Sequence, residues 1–366
     1  MWDDKEVNSF GTDEFIAMCR AVGAEPLIVV NIGTRNWNRD VLDNDFLQEA
    51  LDWIEYCNGP AHSRWGKVRA ANGHREPYHV KYWEIDNETW HVGAEAYAAA
   101  VNRFGPAMRK ADPSIELAAC GSGGYNQDWN RTIINQSGGS FDYISTHHYE
   151  GPNSYATGPA RDEAFYRELE AIMDAGPNPN IKVYCSEWNA QSTDWRTGLY
   201  CGGILNVFER CGDFFEIGGP ALFLRHVSAT AWDNAFVNFD HRTWFAAPNY
   251  VVMKLWRDHY CSQRIDLEGE TGGLNVVATR SEDAGAICIK AVNPTEDPVS
   301  VKAEVAGGTI GDASMEVIAP GGLNARNTLD SRNTVRPETA KVAVKGRTVA
   351  FEMPAYSAGV VTIATH

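Results

Sequence analysis

Six short apolar runs, each separated from the next by a stretch with helical spacing, constrain this chain more than any other feature. The runs are residues 26–31 (PLIVVN), 80–85 (VKYWEI), 115–120 (IELAAC), 141–146 (FDYIST), 181–189 (IKVYCSEWN) and 220–224 (PALFL). Runs of this length that are apolar on both faces read as strands buried in a parallel sheet, with the helices as crossovers. The helical stretches are 12–22, 44–58, 94–111, 129–134, 161–175, 198–214 and 249–260. In the first, Thr12 is expected to cap a helix that buries Phe15, Met18, Cys19 and Val22. Residues 61–78 read as a polar loop. The fold expected is a (β/α)8-type barrel lacking its first two βα units, six being visible.

The pattern changes near residue 262. Alternating runs at 274–279, 286–292, 299–305, 314–318, 341–344, 349–353 and 358–363 are broken by Gly, Asn-Pro and Asp-Pro turns. That is the signature of an all-β, jelly-roll-like sandwich. Residues 1–260 are therefore expected to form the partial barrel that carries catalysis, and 261–366 the sandwich.

Bulk properties narrow the function. The formal net charge of −16 argues against a nucleic-acid partner, which requires clustered Lys and Arg. No apolar run approaches the about 18–20 residues of a bilayer span, so no membrane partner is expected. The first residues, MWDDKEVNSFG, lack the basic and apolar regions of a signal peptide, which points to a cytoplasmic location. The eight cysteines show no metal spacing and are expected to be reduced and buried.

Chemistry concentrates at two strand ends. The run at 80–85 stops on Asp86-Asn87-Glu88, and the run at 181–189 ends on Glu187-Trp188-Asn189. Glycoside hydrolysis needs one carboxyl group to protonate a leaving oxygen and a second to attack carbon or activate water. Strand ends at one rim of a barrel can hold two such groups face to face. The alternative is a pair of surface glutamates in loops, which the flanking Trp83, Trp90 and Trp188 argue against. Asn87 and Asn189 can donate to sugar hydroxyls or serve as turn residues. His147 and Tyr149 end a third strand, where a bond to the nucleophile competes with a structural loop. His147-His148 is a poor chelating pair because strand neighbours face opposite ways, so no metal is expected. Asn31 ends the first run, at a rim or as a loop cap. Trp37, Trp90, Trp188, Trp232 and Trp244 can stack on sugars or pack.

Taken together, YWEIDNETW, DYISTHHY and CSEWN, in that order, resemble the strand ends of glycoside hydrolase family 51, best known for α-L-arabinofuranosidases. FGTDEF (10–15), EPLIVVNIGT (25–34), EYCNGP (55–60), APNYVVMKLW (247–256) and NARNTLD (324–330) match as well, so the likeness spans nearly the whole chain. The resemblance implies a retaining mechanism with Glu88 as acid/base and Glu187 as nucleophile. Asn31, Asn87, His147, Tyr149, Trp188 and Asn189 would line the sugar site. An oligo- or polysaccharide substrate and no cofactor are expected. The competing readings are an endo-β-1,4-glucanase or xylanase of the same family, and a carbohydrate-binding remnant without turnover. Family members carry a sandwich strand and two barrel units before the FGTDEF motif, and nothing here corresponds to them. An uncovered edge at residues 26–31 is expected to drive homo-oligomerisation.

Overall fold

The computed structural model describes residues 9–33 and 44–366; Trp37 lies outside them. Its elements run α1 (Thr12–Ala21), β1 (Leu27–Val30), α2 (Asn44–Asn58), α3 (Arg64–Ala71), β2 (Tyr82–Ile85), α4 (Ala94–Ala111), β3 (Glu116–Gly123), α5 (Asp128–Ser137), β4 (Tyr143–Glu150), α6 (Gly158–Asp174), β5 (Lys182–Ala190), α7 (Trp195–Arg210) and β6 (Phe215–Pro220). Six strands form one sheet in the order β1-β2-β3-β4-β5-β6, with β1, β2 and β3 paired in parallel. Sequence order equal to spatial order, with helical crossovers, is the barrel-type winding expected from the six apolar runs.

After β6 come β7 (Leu224–His226), β8 (Val237–Phe239), β9 (Trp244–Ala246) and α8 (Pro248–Asp258). The remaining strands are β10 (Gln263–Ile265), β11 (Asn275–Arg280), β12 (Ala286–Asn293), β13 (Val299–Glu304), β14 (Ile310–Ile318), β15 (Glu338–Ala340), β16 (Ala343–Lys345), β17 (Thr348–Met353) and β18 (Ser357–Thr365). They build two antiparallel sheets, β10-β11-β12-β18-β14-β15 and β13-β17-β16. Alternate side chains such as Ile289, Met315, Phe351, Val361 and Ile363 fill the core of this sandwich.

The chain divides into two compact units: Met1–Thr146 with Leu169–Tyr184, and His147–Glu168 with Cys185–His366.

In the first unit, three expectations change. Gly11 rather than Thr12 caps α1, its N–H donating to Glu14 at 2.9 Å, while the Thr12 hydroxyl accepts from Trp53 Nε1 at 3.1 Å. Helix α1 buries Ile16 and Cys19, whereas Met18 and Val22 are exposed. The supposed loop at 61–78 contains α3, capped by Ser63, whose side chain accepts from Gly66 N–H. That helix carries no apolar stripe. It buries Arg69, whose guanidinium donates to the carbonyls of Tyr56, Gly59, His74 and Arg75. A buried cation that gathers four backbone acceptors organises the segment in place of hydrophobic packing. β1 is the end strand of the sheet, and its Val29 is 41% exposed.

In the second unit, the sixth strand lies at Phe215–Pro220 rather than at 220–224. Within it Gly219 is a close-approach position: a Cβ there would sit 2.9 Å from the Ser186 carbonyl oxygen. Residues beyond it enter a separate sheet, β7-β8-β9, in which β7 and β8 are parallel. Helix α7, largely buried, meets the sandwich through polar contacts. Asn206 Nδ2 donates to the Asn275 carbonyl at 3.0 Å and Asn206 Oδ1 accepts from Trp256 Nε1 at 2.8 Å. The fully buried Lys290 pairs with Glu209, whose carboxyl burial pushes above its ordinary range. All eight cysteines are free and buried, as expected, and burial pushes the Cys57 thiol up to about 12.

Candidate active site

Two groups of residues carry the candidate chemistry, each fixed inside its own unit. The first follows β2. Asp86 and Glu88 both adopt left-handed backbone conformations, with φ of 62° and 54°. For residues other than glycine such positions cost on the order of 1–3 kcal/mol each and persist only where the surroundings dictate them. Asp86 supplies that surrounding. Its N–H donates to the Val30 carbonyl at 2.8 Å, and its carboxylate accepts from Ile32 N–H at 3.1 Å and Asn87 N–H at 2.8 Å. The clamp ties the end of β2 to the end of β1 and leaves Asn87 exposed and Glu88 partly exposed. Asn31 is exposed beside it, with Oδ1 accepting from Gly33 N–H at 2.6 Å.

Tyr97 braces the same strand end from α4. Its buried hydroxyl donates to the Ile85 carbonyl and accepts from Cys120 N–H at 2.6 Å. Trp90 is held by a bond from Nε1 to the Gly121 carbonyl at 2.8 Å and lies on Gly123, where a Cβ would come within 2.5 Å of the ring. Gly123, the last residue of β3, thus leaves room for the indole.

The second group joins β4 and β5. The Tyr149 hydroxyl donates to Glu187 Oε2 at 2.5 Å, and His147 Nδ1 lies 3.7 Å from the same oxygen. His147 is buried while the Glu187 side chain is 25% exposed, so the carboxylate is both anchored and accessible. Strand alternation sends His148 the other way, against Phe165 and Tyr166, with Nδ1 3.6 Å from the buried Asp162. Burial, reinforced by the charges of His147 and Arg161, lowers the His148 imidazole to about 3. Next along the strand, buried Glu150 pairs with Arg161.

Trp188 and Asn189 depart from the expectation of direct sugar contact. Trp188 is 1% exposed and packs edge-on against Phe208 and Phe236, because strand alternation turns it away from Glu187. Asn189 is equally buried and its amide is occupied: Nδ2 donates to the Asn234 carbonyl at 2.8 Å, while Oδ1 accepts from Thr197 and Asn249. Both side chains hold the strand end that carries Glu187. Sequence reasoning placed Asp86 at the strand end without a role and missed Tyr97, Asn234 and Asn249. Only Asp86 had a signal, since Asp tolerates left-handed backbone directly after a strand.

Carboxylates and amides at the ends of strands in a barrel-type sheet, followed by an antiparallel sandwich, define the architecture of barrel-and-sandwich glycosidases. Two family models match: the α-L-arabinofuranosidase 1 domain over residues 1–167 and the α-L-arabinofuranosidase C-terminal domain over residues 180–357. The chain belongs to glycoside hydrolase family 51, the α-L-arabinofuranosidase-like proteins. An intracellular exo-α-(1→5)-L-arabinofuranosidase of Halalkalibacterium halodurans is 34% identical over 51% of this chain. A probable α-L-arabinofuranosidase C of Aspergillus clavatus is 27% identical over 84% of the chain and 70% of its own length. The crystal structure of an α-L-arabinofuranosidase–arabinose complex from Thermotoga maritima superposes with a TM-score of 0.86 at 25% identity, covering 99% of this chain and 80% of that one. The match spans 40% of the Halalkalibacterium protein's length.

Proposed function

We propose that this chain is a retaining, exo-acting α-L-arabinofuranosidase that releases arabinose from arabinan or arabinoxylan side chains. The observation that carries the reading is the bond from Tyr149 to Glu187, a carboxylate oriented at a strand end in a chain of this family. Glu88 protonates the glycosidic oxygen while Glu187 attacks the anomeric carbon, forming a glycosyl ester and releasing the leaving alcohol. Glu88, then a carboxylate, takes a proton from water, which attacks the same carbon and frees Glu187. Asn31 and Asn87 hydrogen-bond the sugar, and His147 and Tyr149 hold the nucleophile. Catalysis resides in residues 1–260 and the sandwich in 261–366.

The chain acts inside the cell on oligosaccharides, in line with the relative named as intracellular; no described helix is long and apolar enough to cross a membrane. Its charge of −16 disfavours nucleic acid. The exposed edge of β1 pairs with a second copy, a state that light scattering over a wide concentration range reads directly.

The alternative readings are an endo-β-1,4-glucanase or xylanase of the same family and a protein that binds sugar without turnover. Assays on an aryl α-L-arabinofuranoside, on β-glucan and on xylan separate the readings. Hydrolysis of the arabinoside alone supports the arabinofuranosidase, hydrolysis of a polymer backbone supports an endo-acting enzyme, and binding without hydrolysis supports the binding protein.

A further inference from the structure

We infer that Trp232 is the platform for the leaving-group side of the substrate, the sugar beyond the bond that is cut; this rests on the arabinofuranosidase reading. Four observations converge on it. Its ring stands edge-on to Tyr149, centroids 5.8 Å apart at 73°, and Tyr149 is the residue bonded to Glu187. It is 50% exposed, like Trp244 at 53%, whereas Trp188, Trp195 and Trp256 in the same unit are at most 3% exposed; of the two exposed rings, Trp232 is the one that stands against Tyr149. Its backbone is left-handed, with φ of 56°, a conformation that a bulky residue adopts only under constraint and that clusters at ligand sites. The constraint is visible two residues on. Asn234 Nδ2 donates to the Ala190 carbonyl at 3.0 Å while its own carbonyl accepts from Asn189, so the loop is bolted to the strand that bears Glu187.

Exposure assigns the side. A ring that closes around the terminal sugar of an exo-acting enzyme is buried in a blind pocket, whereas a half-exposed ring fits a chain that runs out to solvent. Aromatic faces recognise sugar C–H faces without charge, so the ligand class is a neutral arabino-oligosaccharide.

The test is binding, measured by calorimetry in a Glu187→Gln background to prevent turnover, with arabinose and arabinotriose as probes. Trp232→Ala should weaken arabinotriose about tenfold and leave arabinose within about twofold, and Trp232→Phe should restore most of the loss. An equal loss for both probes, or none for either, would overturn the assignment. Failure of the activity reading is distinguishable, because it appears as binding of arabinotriose to the unsubstituted chain without hydrolysis.

Discussion

Tyr149 and Glu187 share a hydrogen bond of 2.5 Å between a phenol and a carboxylate, made between the ends of β4 and β5. Donation to a charged group contributes about 1.5–3 kcal/mol, which corresponds to a ten- to hundredfold change in a rate. Replacing Tyr149 by Phe removes the donor and keeps the ring against Trp232. The turnover number on an aryl α-L-arabinofuranoside should fall by about that factor, with the circular dichroism spectrum unchanged. A variant as fast as the parent would show that the bond does not serve catalysis.

The α3 helix predicts its own weak point. Arg69 is fully buried and satisfies four carbonyl oxygens, so its removal leaves all four without a partner. Arg69→Met should lower stability by at least about 3 kcal/mol in urea unfolding. Arg69→Lys should not rescue it, since an ammonium cannot span the same fork of acceptors.

A buried ion pair makes the converse case. Lys290→Met leaves the Glu209 carboxyl buried without its cation and should cost about 3–5 kcal/mol, whereas the double change with Glu209→Leu should recover most of that. A double-mutant cycle by chemical unfolding reads the difference.

His148 imposes a pH dependence on stability. Its imidazole titrates near 6.5 when unfolded and at about 3 in the fold, because burial disfavours the cation. Between those values only the unfolded chain binds the proton, so stability is full above pH 6.5 and declines as pH falls towards 3, by up to about 1.4 kcal/mol per unit. His148→Gln should flatten the melting temperature between pH 4 and 6.5. An unchanged slope would place the proton uptake elsewhere.

The sheet and the sandwich were legible because burial on both faces, or on one, leaves a pattern of apolar residues. Strands β2 and β5 and the ends bearing Glu88 and Glu187 were read from that pattern alone. What escaped had other causes. Helix α3 is organised around a charge, β6 is admitted by glycines, and β7–β9 are three-residue strands too short to show a period. At the site, Trp188 and Asn189 follow from alternation along β5, which sets their direction but only in three dimensions reveals Phe236, Asn234 and Asn249 as their partners. The left-handed turn at Asp86 and Glu88 depends on bonds to Val30 and Ile32, more than fifty residues away in the chain.

The measurement that bears most directly on the mechanism is covalent trapping. Incubation with a 2-deoxy-2-fluoro-arabinofuranosyl donor bearing a good leaving group, followed by peptide mass mapping, should place one fluorosugar on the peptide containing Glu187 and none on Glu187→Ala. Label on another carboxylate, or hydrolysis whose first product has the inverted anomeric configuration, would contradict a retaining reaction at Glu187.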